Sequence, residues 1–309
     1  MRAQDPFPIP SDLIETVSSE FGEGGVEWSR NLPGILRELC QTLHVTLDSP
    51  FPSLSFNYVA PGIRSDGLEV VLKVGVPTRE VEAEIAALRL WAGNGSVELL
   101  EAIPEKGALL LERLSPGTPL ASVGDEDLSV GVAADVMRRL WRPPPEDHSF
   151  PTVSDWGRDF HLLRERFGGT TGLFPAYLVE RAEAVFEELG ASMGPALVLH
   201  GDLHPLNICR AERQPWLAID PKGVVGEAEY EVGAFLRNPL PELLRRAHPE
   251  KVLRRRVDGF VERLGLDRGR VVAWNFAQAV LSAWWAYRPD GTILAYAELA
   301  ARLLAGPPA

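Results

Sequence analysis

Three oxygen-bearing side chains follow one another between residues 202 and 220, in a stretch that alternates apolar runs with a polar loop. Asp202 and Asn207 are five positions apart in the loop, and Asp220 follows thirteen positions later, after the second apolar run. A carboxylate can accept the proton of a hydroxyl group, and an amide with a second carboxylate supplies hard oxygen ligands for Mg²⁺. The stretch therefore predicts phosphoryl transfer from a metal-bound nucleotide, with Asp202 as the catalytic base and Asn207 and Asp220 as metal ligands.

The elements that must position these side chains are short. Residues 196–199 and 216–219 are apolar runs of strand length, and together they predict a hairpin-like pair that carries the polar loop. Taken alone, Asp202 has a structural alternative, because an aspartate in a His-Gly-Asp turn can accept hydrogen bonds from backbone amides. His200 and His204 have no accompanying set of His or Cys residues at metal-binding spacing, so we expect them to brace the loop.

Lys73 is a basic residue within an otherwise apolar run, residues 68–76, that has the composition of a β-strand. On its own, such a lysine is more often exposed at the surface of a half-buried strand. The next element changes this balance. A helix with Thr78 as its N-cap follows, and Glu84 is the one acid of this helix expected at the edge of its buried face. We therefore expect an ion pair between Lys73 and Glu84, an arrangement that can position nucleotide phosphates.

Two segments carry a resemblance to known families. The spacing from Asp202 to Asn207, followed by a strand that ends in Asp220, resembles the catalytic loop of protein kinases. The loop begins His-Gly-Asp and continues HPLN, a form that resembles the aminoglycoside phosphotransferases. Residues 217–239, LAIDPKGVVGEAEYEVGAFLRNP, resemble the branch that includes streptomycin 6-phosphotransferases and hydroxyurea phosphotransferases. A weaker resemblance extends over most of residues 55–290.

The resemblance implies an α+β, bilobal protein-kinase-like fold. A small N-terminal lobe with an antiparallel sheet and a helix, residues 1–112, would bind the nucleotide. A larger, mainly helical lobe, residues 113–309, would carry catalysis and bind the acceptor. ATP and Mg²⁺ are the implied cofactors. A phosphate-binding loop of the G-x-G-x-x-G type is absent before Lys73, which departs from the protein-kinase pattern.

The resemblance also implies roles for individual residues in the nucleotide site. Lys73 would bind the α- and β-phosphates, and Glu84 would orient Lys73. The crossover Glu112–Leu114 would act as a hinge whose backbone groups read the adenine edge, which makes Glu112 and Leu114 candidates for nucleotide binding. Glu231 stands where the family usually has Asp, and this acid would tie down the catalytic loop.

The acceptor implied by the resemblance is a hydroxyl group of a small molecule, most directly the 6-hydroxyl of streptomycin. The expected function is therefore an aminoglycoside kinase that confers antibiotic resistance. Hydroxyurea or another metabolite stays open as the acceptor, because fold and phosphate machinery do not determine the acceptor. A nucleotide-binding pseudoenzyme of the same fold is the alternative without catalysis.

The net charge of the 309-residue chain is −12, from 31 basic and 43 acidic residues. This balance argues against nucleic acid as a partner, because such binders need basic patches that neutralise phosphates, and it suits a cationic acceptor. No apolar run reaches the roughly 18–20 residues that span a bilayer, and the N-terminus lacks an apolar signal core. We expect a cytoplasmic protein without membrane contact, and the oligomeric state stays open.

Helical patterns fill much of the remaining sequence and are expected to form the scaffold. The predicted helices cover residues 11–20, 32–47, 125–142, 155–167, 177–189 and 271–287. The last of these contains Trp274, Trp284 and Trp285, which could line a substrate pocket but are more often core residues in such a helix. Residues 241–264 are rich in Arg, and the interspersed acids favour a solvated helix face over a nucleic-acid patch.

Overall fold

The computed structural model describes residues 7–52, 54–286 and 291–305. The chain divides into two compact units, Met1–Ser115 and Pro116–Ala309. The sequence predicts a boundary after residue 112, at the end of a strand, and the structure places the division after Ser115. Tyr287, the last residue of the predicted helix 271–287, lies outside the described residues.

Where the structure describes it, the first unit contains two α-helices and a five-stranded antiparallel sheet. In chain order its elements are α1 (Ser11–Thr42), β1 (Val45–Leu47), β2 (Tyr58–Arg64), β3 (Glu69–Val74), α2 (Arg79–Trp91), β4 (Leu99–Ile103) and β5 (Ala108–Glu112). The strand order is β1-β2-β3-β5-β4, with every neighbouring pair antiparallel. This is the small sheet-and-helix lobe that the sequence predicts.

Helix α1 supplies much of the hydrophobic core of the first unit. Leu32, Leu36 and Leu39 recur at helical spacing and are fully buried. They belong to the same apolar cluster as Tyr58 of β2 and Leu72 of β3. The helix therefore covers the sheet face that carries Leu72, and the alternation of side chains along β3 directs Lys73 to the opposite face.

Several boundaries in this unit differ from the predicted ones. The two helices expected before residue 48 form one element, in which Gly22 (φ 55°) interrupts the helical backbone. The predicted second helix is too long at its end, because Val45–Leu47 pair with β2 as strand β1. Pro61 and Gly62 lie inside β2. A Cβ on Gly62 would fall 2.5 Å from Thr46 O, so glycine permits the close approach of β1.

Over its described residues the second unit is mainly helical and contains two small antiparallel sheets, one of two strands and one of three. Its elements are β6 (Pro116–Pro119), α3 (Glu126–Leu140), α4 (Val153–Gly157), α5 (Asp159–Arg166), α6 (Ala176–Ala191), β7 (Leu197–Leu199), β8 (Ile208–Ala211), β9 (Trp216–Ala218), β10 (Val224–Gly226), α7 (Ala228–Arg237), α8 (Glu242–Arg245), α9 (Pro249–Leu264), α10 (Arg268–Trp285) and α11 (Thr292–Ala305). Among the described residues, no helix combines the length and apolarity needed to cross a bilayer.

The predicted hairpin around the polar loop is wrong in its pairing. Strand β7 pairs with β10, and β9 pairs with β8, so the two strands named from sequence do not pair with each other. The polar loop leaves one ladder after Leu199 and enters the other at Ile208. Strands β8 and β10 contain four and three residues, which is too short for an alternating apolar pattern to reveal them.

The helices of the second unit mostly follow the predicted ones. Helix α3 begins after Asp125, whose side chain accepts hydrogen bonds from two backbone amides of the first turn. The helix predicted over residues 155–167 is divided into α4 and α5. The Arg-rich segment is not wholly a solvated face, because Arg256 is buried and its Nε donates to Glu126 Oε2 of α3 at 2.8 Å.

Candidate active site

Lys73 and Glu84 form a buried ion pair in the first unit. The Lys73 Nζ atom lies 2.6 Å from both Glu84 Oε1 and Oε2, and each residue is 6% exposed. Lys73 lies on β3, and Glu84 lies on α2. Thr78 is the N-cap of α2, and its side chain accepts the Val81 N–H at 3.5 Å. The predicted N-cap and the predicted inward acid are both present in the structure.

Burial makes this pair costly to break. Removing two charges from water is unfavourable, and the close contact recovers that free energy only while both partners are present. The amine of Lys73 is therefore held at a fixed place on the sheet face opposite the α1 core. A compact, fixed positive charge of this kind is suited to phosphate oxygens.

The predicted hinge lies where β5 ends. Glu112 makes two hydrogen bonds with Glu98. The backbone N–H of Glu112 donates to Glu98 O, and its side-chain Oε1 accepts the Glu98 N–H. The Arg113 N–H donates to Glu69 O at 3.4 Å. Within the part of the chain that the structure describes, the Leu114 N–H has no such acceptor. Leu114 is therefore the residue of this crossover with a backbone donor available to a ligand.

The catalytic-loop candidate Asp202 follows β7, and the two nearby histidines brace the loop as the sequence predicts. The buried His200 donates from Nε2 to Ile219 O (2.9 Å), and its Nδ1 accepts the Asp202 N–H (3.3 Å). Burial lowers the pKa of His200 to about 4, so the ring is neutral at pH 7, as these two bonds require. His204 Nδ1 accepts the Leu206 N–H at 3.2 Å, which closes the next turn of the loop.

Glu231 of α7 holds the start of the catalytic loop. Its Oε2 accepts the His200 N–H at 2.6 Å and its Oε1 accepts the Gly201 N–H at 3.0 Å, while the residue is only 1% exposed. Burial raises the pKa of Glu231 to about 7, and the two amide donors oppose that rise because they favour the charged carboxylate. The longer side chain of Glu, compared with the Asp usual in the family, still reaches two backbone amides here.

A backbone hydrogen bond joins Asn207 to Ile219, the residue before Asp220. Asn207 Nδ2 donates to Asp202 O at 3.1 Å, and the Ile219 N–H donates to Asn207 O at 2.9 Å. Asp220 is the residue after Ile219 and adopts a left-handed backbone (φ 59°), which is uncommon outside glycine. These hydrogen bonds link Asp202 to Asn207, and Asn207 to the residue before Asp220, although the strand pairing differs from the predicted one.

The donor set fits a magnesium ion that is shared with phosphates. With Asn207 Nδ2 bonded to Asp202 O, the amide oxygen of Asn207 is the atom left for a ligand, and Asp220 offers a carboxylate. No group of three or more His, Cys, Asp and Glu residues that could hold a metal occurs among the described residues. Mg²⁺ commonly binds through one or two protein groups and completes its octahedron with water and substrate phosphates.

Sequence reasoning missed Arg237, which contacts the carboxylate of Asp202, and Gln278, which contacts Arg237. Arg237, at the end of α7, donates from Nη2 to Asp202 Oδ1 at 3.4 Å and from Nη1 to Gln278 Oε1 at 2.7 Å. Gln278 of α10 is buried, and a Cβ on Gly233 would fall 2.1 Å from its Oε1. The LRNP run contains Arg237, but no one-dimensional spacing connects it to Asp202 or Gln278.

Comparison with known proteins identifies the family. Residues 42–291 match the model of the aminoglycoside/hydroxyurea antibiotic resistance kinase family. The chain belongs to this family. A streptomycin 6-kinase of Streptomyces glaucescens is 33% identical over 277 residues, which cover 90% of each chain. A hydroxyurea phosphotransferase of Kitasatospora aureofaciens is also 33% identical, over 94% of this chain and 84% of its own length.

Solved structures show that the fold is the protein-kinase-like one of this kinase family. Choline kinase LicA from Streptococcus pneumoniae aligns over 90% of this chain and 100% of its own, with a TM-score of 0.60 and 12% identity. Aminoglycoside phosphotransferase APH(4)-Ia aligns over 88% of this chain and 99% of its own, with a TM-score of 0.61 and 12% identity. The predicted α+β fold, with a sheet lobe and a mainly helical lobe, is confirmed.

Proposed function

We propose that this antibiotic resistance kinase transfers the γ-phosphate of ATP to a hydroxyl group of streptomycin, at the 6-position. The observation that carries the proposal is the loop in which Asn207 bonds to Asp202 and to the residue before Asp220, with its start held by Glu231, in a chain of this family. Sequence identity of 33% to a streptomycin 6-kinase, over nearly the whole length of both chains, supports the choice of acceptor. We expect the reaction in the cytoplasm, where ATP is available.

In the proposed nucleotide site, Lys73 binds the α- and β-phosphates and Glu84 keeps its amine in place. The backbone at Glu112 and Leu114 contacts the adenine edge, with the Leu114 N–H as the donor. Mg²⁺, held by Asn207 and Asp220, would neutralise charge on the triphosphate. AMP and ADP accompany two structural neighbours of the same fold, which supports an adenine nucleotide as the donor.

Asp202 acts on the acceptor in this proposal. Its carboxylate hydrogen-bonds to the acceptor hydroxyl and takes the proton as the oxygen attacks the γ-phosphorus. The new O–P bond forms while the bond to the β-phosphate oxygen breaks, which gives a phosphorylated acceptor, ADP and one proton. Because the transition state is loose, the protein contributes mainly alignment and charge stabilisation rather than covalent chemistry.

The test is a coupled assay of ADP release with ATP, Mg²⁺ and a panel of streptomycin, other aminoglycosides and hydroxyurea. We expect streptomycin to stimulate turnover in the wild-type protein, and Asp202→Asn to lower kcat by about 10²–10⁴-fold. Asp220→Asn should lower turnover and weaken the response to Mg²⁺. Asp135→Asn, an exposed residue of α3, is the matched control and should match wild type. Undiminished turnover of Asp220→Asn would contradict the assignment of Asp220 as a ligand of Mg²⁺.

Hydroxyurea is the second candidate acceptor, favoured by the hydroxyurea phosphotransferase that is 33% identical over 94% of this chain. Turnover stimulated by hydroxyurea and not by streptomycin would move the activity to that acceptor. Saturable binding of ATP without turnover on any acceptor would instead favour a pseudoenzyme.

A further inference from the structure

The three tryptophans of α10 have different surroundings. Trp274 is fully buried, so it is a core residue, as the sequence favours for tryptophans in such a helix. Trp284 packs edge-on against Phe167 and Phe174. Trp285 remains 45% exposed, although the indole is the largest apolar side chain. Exposed tryptophan is enriched at binding surfaces, because one ring supplies a large contact area together with a polar edge.

Trp285 is held by an acid and by a second tryptophan. Its Nε1–H donates to Asp159 Oδ2 at 2.7 Å, which fixes the rotation of the ring and places a carboxylate at its edge. Trp156 of α4 meets Trp285 at a right angle, with ring centroids 5.4 Å apart. An ordered, half-exposed indole beside a carboxylate is therefore present on this side of the second unit.

This aromatic pair reaches the catalytic loop. A Cβ on Gly201 would fall 2.8 Å from Trp156 Cη2, so the ring of Trp156 packs directly against Gly201. Gly201 has φ 81° and precedes Asp202, the proposed base. Trp156 thus packs against the residue before Asp202, and Trp285 packs against Trp156 in turn.

We propose that Trp156 and Trp285, with the ring of Trp285 oriented by its hydrogen bond to Asp159, form an acceptor subsite that binds a positively charged group of the acceptor. The proposal rests on the proposed function and names residues that select a cationic acceptor over a neutral one. The face of an indole attracts a guanidinium or ammonium group through its quadrupole, and Trp is the strongest of the side chains that do so.

The whole chain carries a net charge of −12, which suits a cationic acceptor.

The two acceptors of the proposed function provide the test, because streptomycin carries guanidinium groups and hydroxyurea is neutral. Trp285→Leu removes the π face and keeps an apolar side chain. We expect this variant to raise the KM for streptomycin by about three- to tenfold. The KM for hydroxyurea should change by a smaller factor. Trp285→Phe, which keeps a π face, should lie between wild type and Trp285→Leu.

Tyr177→Leu is the matched control, since Tyr177 is an aromatic residue of the same unit and 61% exposed. It should leave both KM values at wild type. Circular dichroism and the KM for ATP report whether the variants are folded. Equal changes in KM for both acceptors, or no change for streptomycin in Trp285→Leu, would overturn the subsite.

A second measurement separates this proposal from the proposed function. Isothermal titration of streptomycin into protein without nucleotide reports binding even if no acceptor supports turnover. Weaker binding to Trp285→Leu than to wild type and Tyr177→Leu supports the subsite, whatever the kinase assay shows. Wild-type affinity in Trp285→Leu overturns it, even if streptomycin is phosphorylated.

Discussion

The carboxylate of Asp202 and its backbone are held by different groups. The backbone is fixed by His200 and Asn207, while the side chain is fixed by Arg237, which in turn is tied to Gln278. A base that must meet a hydroxyl in line with the γ-phosphate requires this control of orientation, because a small misplacement lowers the rate strongly. We therefore assign Arg237 a positioning role in the proposed reaction.

Replacing Arg237 tests that role. Arg237→Met should lower kcat about tenfold or more, because the carboxylate of Asp202 loses the single guanidinium contact that orients it, from Nη2 to Oδ1 at 3.4 Å. The KM for ATP should stay within about twofold, since Arg237 contacts no proposed nucleotide residue. Arg237→Lys should recover part of kcat, because a charge returns without the second hydrogen bond. Steady-state kinetics measure kcat and the KM for ATP. Arg181→Met, at an exposed position of α6, is the control. A raised KM for ATP with unchanged kcat would contradict the assignment.

The raised pKa of Glu231 predicts how the free energy of unfolding depends on pH. Burial raises the pKa of Glu231 to about 7, so between roughly pH 4.5 and 7 the folded protein binds a proton that the unfolded chain releases. The stability contributed by this group is therefore full at low pH and lost as the pH rises through 7. His200 acts in the opposite direction, because its lowered pKa, about 4, costs stability as the pH falls below about 6.5.

A comparison with Glu231→Gln separates the two groups. The variant keeps His200 but cannot titrate at position 231, so the difference in unfolding free energy between wild type and variant isolates Glu231. We expect wild type to lose on the order of 1–3 kcal/mol relative to the variant between pH 5 and 8. Urea denaturation at several pH values measures this difference. A difference that is constant with pH would show that Glu231 stays charged throughout.

At the scale of elements, β3 and α2 matter because they bring together two residues eleven positions apart. Glu84→Leu removes the partner that holds Lys73 at 2.6 Å and should lower stability by about 3–5 kcal/mol. The double variant Lys73→Met with Glu84→Leu should recover much of that loss, since no buried charge remains. Thermal unfolding of the two single variants and the double variant completes the cycle. Additive losses would mean that the two charges are independent.

Helix α1 is an element to which the sequence assigned no role, and the family match begins at residue 42, where α1 ends. Leu36 is fully buried in the core that α1 shares with the sheet. Leu36→Ala should therefore lower the free energy of unfolding by about 2–5 kcal/mol. Ile14→Ala, on the same helix but 39% exposed, should cost less than about 1 kcal/mol. Equal costs would show that α1 does not stabilise the first unit.

The same elements show what sequence can predict. The Lys73–Glu84 pair could be predicted from sequence because β3 and α2 are local and periodic: a strand alternates its side chains and a helix repeats every 3.6 residues. The loop residues from 202 to 220 were accessible because their spacing is characteristic. The pairing of β7 with β10 was not, since strands of three residues carry no pattern and their partners are distant in sequence. Arg237 and Gln278 were missed for the same reason, because they meet Asp202 only in three dimensions.

At the scale of the whole molecule, the net charge of −12 bears on how the acceptor arrives. A negative protein concentrates cations near its surface, and salt screens that attraction over a Debye length of about 10 Å at 0.1 M. If the acceptor is a cation, its apparent affinity therefore depends on ionic strength, in addition to any contact with Trp285. A neutral acceptor experiences no such attraction.

The KM for streptomycin should therefore rise by about two- to fivefold as NaCl increases from 20 to 300 mM, while the KM for hydroxyurea should change by less than twofold. Free Mg²⁺ and ATP must be held saturating at every salt concentration, because the nucleotide site is also charged. A parallel rise for both acceptors would place the salt effect in the nucleotide step, and the negative charge of the protein would then have no role in selecting a cationic acceptor.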